Sequence, residues 1–220
     1  DHMELPGRHG ATITSKLELT PLPTGEKWDG SIAYLDRDGV LNIGKSDYIN
    51  TIEELILIEG SGRAVAELRR SGYRICVVTN QSPIGRGLWG HDQLAEIHDE
   101  LQRRLLSEDE DAILDLILYS PFTPWSESYI RKPRPGMLEV GRQLISAGED
   151  NIALTRFELA EEYSINPPSE GKRSCIVGDR AADIGAGLAH GVRIFHVDEK
   201  EGLPSAITRI LNSSDPGDTF

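Results

Sequence analysis

Apolar residues along this 220-residue chain fall into two alternating patterns. Short continuous runs, Ser31 to Leu35, Arg74 to Thr79, Leu114 to Tyr119, Ser174 to Val177 and Val192 to Val197, have the length of strands buried on both faces. Between them the spacing is helical. From His91 to Leu106, residues Leu94, Ile97, Leu101 and Leu105 recur at intervals of three and four and form an inward stripe. Ser61 is a candidate cap for a helix with Ala64, Val65 and Leu68 inward, closed by Gly72. Pro135 suits the start of a helix through Met137 and Val140 to Leu144. Shorter helices are expected near Phe157 to Tyr163, after Asp183 to Ala189, and from Ser205 to Leu211.

This alternation predicts an α/β protein: a Rossmann-like parallel sheet with helices on both faces and ligands at the strands' C-terminal edge. One domain is expected over 29–212. Residues 1–28 read as an N-terminal extension, with 1–3 resembling a cloning remnant. Within it, Thr12 to Thr20 alternates loosely enough for a strand or hairpin arm before Pro21-Leu22-Pro23 breaks it. Residues 213–220 are expected to be a flexible tail. The stretch 147–172 carries an insertion ending in a Pro-Pro loop, to which the sequence assigns no role.

Composition is that of an ordinary globular protein, 38% hydrophobic and 27% charged. A formal charge of −13 argues against a nucleic-acid or anionic-membrane binder. No apolar run approaches the ~20 residues that span a bilayer. Cys76 and Cys175 lie inside apolar strands and are expected to be buried free thiols, which, with no signal peptide in view, fits the cytoplasm. The six histidines are scattered and are expected to be structural or surface residues. Oligomeric state is not legible.

Chemistry-bearing residues cluster at the strand ends. The first strand stops on Asp36-Arg37-Asp38-Gly39, which alone would read as a polar turn. Thr79-Asn80, Arg131-Lys132 and Asp179/Asp183 follow later strands, so the topology brings all four sets to one sheet edge. Four carboxylates beside a lysine suit a hard divalent cation such as Mg²⁺ and a tetrahedral anion. With both present, Asp36 can attack phosphorus and Asp38 can protonate the leaving oxygen, then activate water.

The order Asp36-Arg-Asp-Gly-Val-Leu-Asn42, Val77-Val-Thr-Asn-Gln-Ser82, Arg131-Lys-Pro-Arg-Pro-Gly-Met137 and Val177-Gly-Asp-Arg-Ala-Ala-Asp183 resembles the four motifs of the haloacid dehalogenase superfamily of phosphatases. Within it the chain is most similar to the heptose bisphosphate and histidinol-phosphate phosphatases. The resemblance implies a nucleophile at Asp36, an acid/base at Asp38, and phosphate contacts from Thr79, Asn80 and Lys132. It further implies Mg²⁺ held by Asp36, the Asp38 carbonyl and Asp179, with Asp183 supporting the metal shell or orienting Lys132. Arg131 and Gln81 would contact the rest of a small phosphorylated sugar, such as heptose 1,7-bisphosphate losing its 7-phosphate.

Two departures bear on the substrate. The family's zinc-binding Cys/His loop is here Tyr119 to Tyr129 without Cys or His, so zinc is not expected and packing of Phe122, Trp125 and Tyr129 must hold the loop. Pro83 replaces the glycine after Asn-Gln-Ser. Only 43 residues separate Asp36 from Thr79 and 53 separate Thr79 from Lys132, too few for a cap domain. The alternatives are histidinol-phosphate or polynucleotide 3′-phosphate hydrolysis, and an idle binding protein, which retention of the motif acids and Lys132 weighs against. Gly85 to Gly90 matches G-x-G-x-x-G but does not directly follow the first strand, as a dinucleotide turn must. Arg86 and Arg134 read equally as solvated or substrate-facing.

Overall fold

The structure is a computed structural model that describes residues 3–163 and 170–220. A two-residue strand, β1 (Gly7–Arg8), leads into a long strap without regular structure. β2 (Ile32–Leu35) follows, then α1 (Ser61–Arg70), β3 (Arg74–Asn80), α2 (Ser82–Gly85), α3 (His91–Glu108) and β4 (Leu116–Ser120). The second half runs α4 (Gly136–Glu149), α5 (Ala160–Tyr163), β5 (Cys175–Gly178), α6 (Ala181–His190), β6 (Arg193–His196) and α7 (Ile207–Leu211). Part of the segment 147–172, including its Pro-Pro loop, lies outside the described residues.

The sheet order is β1-β4-β3-β2-β5-β6, parallel except for β1, which pairs antiparallel with β4. Leu35 is in register with Val77 on one side and Val177 on the other, so the C-terminal ends of the three central strands lie level. The chain builds outward from β2 to β4 and then returns to β2's other side, leaving a crevice above β2 and β5.

Alternate residues face opposite layers, as strand pleating requires. Ala33, Leu35, Ile75 and Val77 pack with Val65 and Leu68 of α1 and Ile97, Leu101 and Leu105 of α3. Ile32, Tyr34, Cys76 and Val78 pack with Met137, Val140 and Leu144 of α4 and Ala186 of α6. Both cysteines are buried free thiols. No helix among the described residues is long and apolar enough to cross a membrane.

Several local expectations are corrected. Thr12 to Thr20 forms no strand; Gly7–Arg8 supplies the antiparallel edge instead. The strap is nonetheless part of the packing, since Leu17 and Leu22 are buried. Its Thr20 carbonyl accepts hydrogen bonds from Arg69 and Arg74, which both also reach the buried Asp115 carboxylate. Ser61 begins α1 rather than capping it. Its Oγ donates to the Leu41 carbonyl, while Glu108 of α3 accepts from the free N–H groups of Gly60 and Gly62. At the C-terminus, Asp218 N donates to the Ile194 carbonyl and Asp218 accepts from His196 N and Arg209, so these residues are tied to β6.

Candidate active site

The pairing of β2 with β5 continues one residue past the strand: Asp36 N donates to the Val177 carbonyl at 3.1 Å. This fixes Asp36, a residue 8% exposed, at the floor of the crevice. Its Oδ1 accepts from Arg37 N at 2.8 Å and lies 3.2 Å from Lys132 Nζ. The chain then turns at Gly39, with φ of +81°, where a Cβ would fall 2.4 Å from the Asp179 carboxylate. Only glycine permits both the turn and the approach of Asp179.

Asp38 lines the same crevice as Asp36 but is held by different partners. Asp38 is gripped by the Arg37 fork, with Nε 2.9 Å from Oδ1 and Nη2 3.2 Å from Oδ2, and by Asn42 Nδ2 at 2.9 Å. Burial alone would raise its pKa, but Arg37, Asn42 and Gln81 hold the carboxyl below the usual range.

β3 delivers Thr79, whose hydroxyl accepts from Gln81 Nε2 at 2.9 Å. Asn80 lines the crevice, yet its amide is spent on the main chain of Lys132: Nδ2 donates to the Lys132 carbonyl at 3.0 Å and Oδ1 accepts from Lys132 N at 3.2 Å. That reciprocal pair anchors the loop before α4 and aims Lys132 inward. Lys132 Nζ lies 2.6 Å from Asp183 Oδ1, and both side chains are buried. Burial disfavours the ammonium, but Asp183 and Asp36 outweigh it and raise the pKa. Asp183 sits in the first turn of α6, where its Oδ2 accepts from Arg180 N at 3.1 Å.

Oxygens of Asp36, Asp179 and Asp183 lie within 4.8 Å of one another. Burial, followed by the Asp183 charge, pushes the Asp36 carboxyl up to about 8 and also raises Asp179. Three crowded carboxylates against one ammonium are under-neutralised, and Asp179 Oδ1 is buried without a hydrogen-bond partner among the described residues. A hard divalent cation fits this donor set. Both oxygens of Asp183 are already occupied, so Asp36 and Asp179 hold the free capacity. The Asp38 carboxylate is likewise spent, which leaves its main-chain carbonyl.

These groups open into a cavity of about 500 Å³, whose lining includes Asp36, Asp38, Thr79, Lys132 and Asp183 together with the basic residues Lys45, Arg131, Arg134 and Arg180. Loops, not a cap domain, cover it among the described residues.

Gln81 differs from its expected place. It is fully buried behind Thr79 and cannot touch a sugar at the rim. Arg131 does line the cavity, steadied by Nη1 donating to the Phe122 carbonyl. Trp125 does not pack the loop: it is 71% exposed beneath the Arg86 guanidinium, while Phe122 and Tyr129 do pack on the core. Sequence reasoning missed Arg37 and Asn42 as the clamp on Asp38. Both lie within the first motif, but only the fold shows them buried and turned onto the carboxylate.

An acid-ended β2 facing a buried lysine and a second carboxylate pair, on a parallel sheet with loop cover, defines a haloacid dehalogenase-like phosphatase. No family model matches the chain. It is 36% identical over 168 residues to the D-glycero-β-D-manno-heptose-1,7-bisphosphate 7-phosphatase of Pseudomonas putida, covering 76% of this chain and 82% of that protein. The enzyme of the same name from Pseudomonas aeruginosa is 43% identical over 108 residues, 49% of this chain and 60% of its own length. The crystal structure of D,D-heptose 1,7-bisphosphate phosphatase from B. bronchiseptica, complexed with magnesium and phosphate, shares the fold with a TM-score of 0.65 at 24% identity, covering 84% of this chain and 99% of that one. The chain therefore belongs to the heptose 1,7-bisphosphate 7-phosphatase family of haloacid dehalogenase-like phosphatases.

Proposed function

We propose that this phosphatase removes the 7-phosphate of D-glycero-D-manno-heptose 1,7-bisphosphate through an aspartyl phosphate on Asp36, with Mg²⁺ as its cofactor. The observation that carries the mechanism is the buried Asp36–Lys132–Asp183 cluster beside the unpartnered Asp179 oxygen. Asp36, the only motif carboxylate both at the β2 end and in contact with Lys132, attacks phosphorus. Lys132 and the Thr79 hydroxyl hold the non-bridging oxygens, with Asp183 orienting Lys132 and Asn80 fixing its main chain. The negative charge of the bound phosphate beside Asp38 favours uptake of a proton there from solvent. Asp38 passes that proton to the departing sugar oxygen, and the carboxylate so formed takes the proton of the water that cleaves the acyl phosphate. Asp36, Asp179 and the Asp38 carbonyl would hold the cation, which when bound neutralises the charge between carboxylate and phosphate.

The substrate assignment is supported by the names of the relatives and by the rim chemistry. Lys45, Arg131, Arg134 and Arg180 suit a second phosphate that stays on the sugar. Two buried thiols fit a reducing cytoplasm. Incubating purified protein with the 1,7-bisphosphate and Mg²⁺ tests the reading. One phosphate released and a 1-phosphate product are expected; release from carbon 1, or none, contradicts it.

A further inference from the structure

Below the cavity, Arg37 is fully buried and has one more partner than Asp38: its Nη1 lies 3.1 Å from His98 Nε2. His98 is also fully buried, one turn after Leu94 on the apolar stripe of α3. Burial, the Arg37 charge and His9 push its imidazole well below the ordinary value, so the ring is neutral. A guanidinium can only donate, so His98 presents its lone pair at Nε2 and carries its proton on Nδ1. His9 packs edge-on against this ring, with centroids 5.6 Å apart. His9 is itself placed by its N–H donating to the Ile117 carbonyl and by Nε2 2.8 Å from Asp99 Oδ1. The segment after β1 thus walls in a histidine that touches the clamp on Asp38.

We infer that His98 is a positioning residue for the acid–base step, because its Nε2 fixes the plane of the Arg37 guanidinium that holds the Asp38 carboxylate. His98 moves no proton; the leaving oxygen takes its proton from Asp38. Without the acceptor, a buried N–H is left unpaired and the fork is free to turn away. The inference rests on the proposed role of Asp38 and goes beyond it by naming what aims that group.

Leaving groups separate positioning from general structural support. An alkoxide needs Asp38's proton, whereas p-nitrophenolate departs without it. In His98→Leu, kcat/KM on an alkyl sugar phosphate, which reports only the steps through leaving-group departure, is expected to fall about tenfold or more, while kcat/KM on p-nitrophenyl phosphate stays nearly intact. His98→Gln, whose amide oxygen can accept from Arg37, should restore most of the loss. If His98→Leu does not fold, Arg37→Lys should show the same leaving-group split. Equal losses on both esters, no loss in a folded His98→Leu, or no rescue by glutamine overturns the inference. A wild type inactive on both esters would instead refute the proposed reaction. In that case ¹⁵N NMR of the His98 ring still decides the geometry: an Nδ1-protonated neutral ring supports it and an Nε2-protonated ring overturns it.

Discussion

Lys132 Nζ lies 2.6 Å from Asp183 Oδ1, with each side chain only 2% exposed, and the same ammonium is 3.2 Å from Asp36. One buried cation therefore serves two acids from opposite halves of the chain, brought together because β2 and β5 are neighbours. Lys132→Met should leave both acids uncompensated and cost about 3–5 kcal/mol in stability measured by urea unfolding without added metal. It should also reduce phosphatase turnover below detection.

Chelation should stop phosphate release, and Mg²⁺ should restore it. Asp179→Asn keeps the shape of a side chain whose Oδ1 has no hydrogen bond to lose among the described residues, so the variant should fold. Its half-maximal Mg²⁺ concentration should rise at least about tenfold, following the loss of a charged ligand. Calorimetric melting should show Mg²⁺ raising the Tm of the wild type more than that of the variant, as ligand linkage requires.

Acid should unmask His98. Its folded pKa is depressed below the ordinary 6.5, so the unfolded chain binds the extra proton. Its contribution is fully present above that value and is lost as pH falls, with a slope approaching about 1.4 kcal/mol per pH unit. Urea unfolding at several pH values should show a shallower acid decline for His98→Gln than for the wild type. Parallel declines would mean that the ring is not held neutral.

Asp115 should be a structural hub. Its carboxylate accepts from Arg69, Arg74 and the Ile75 N–H, and both arginines reach the Thr20 carbonyl of the strap. Asp115→Ala leaves the buried Arg69 guanidinium without its carboxylate, while Arg74 keeps Glu149, and should lower stability by about 3–5 kcal/mol. Proteolysis should then cut the strap first.

The placement of Asp36, Thr79, Lys132 and Asp183 on one edge was legible because each ends or follows a strand in a strictly alternating chain. What the side chains do there was not. Asn80 turned out to hold Lys132's main chain, and Gln81 to be buried, because loop closure decides which polar groups are spent internally. The contact between Arg37 and His98 spans 61 residues, a distance no local periodicity reports. Trp125 illustrates the converse, since an aromatic residue in a loop gives no signal of whether the loop faces core or solvent. The edge strand β1 is two residues long, too short to show an alternation, while the alternating Thr12–Thr20 stretch pairs with no strand.

The covalent step on Asp36 is tested most directly by trapping it. In Asp38→Asn, hydrolysis of the acyl phosphate should slow more than its formation, particularly with p-nitrophenyl phosphate as donor. Acid quenching followed by borohydride reduction should convert the phosphorylated residue to homoserine, which peptide mass spectrometry should place at position 36 alone. Homoserine at another acid, or continued phosphate release from an enzyme that never carries the label, would contradict nucleophilic attack by Asp36.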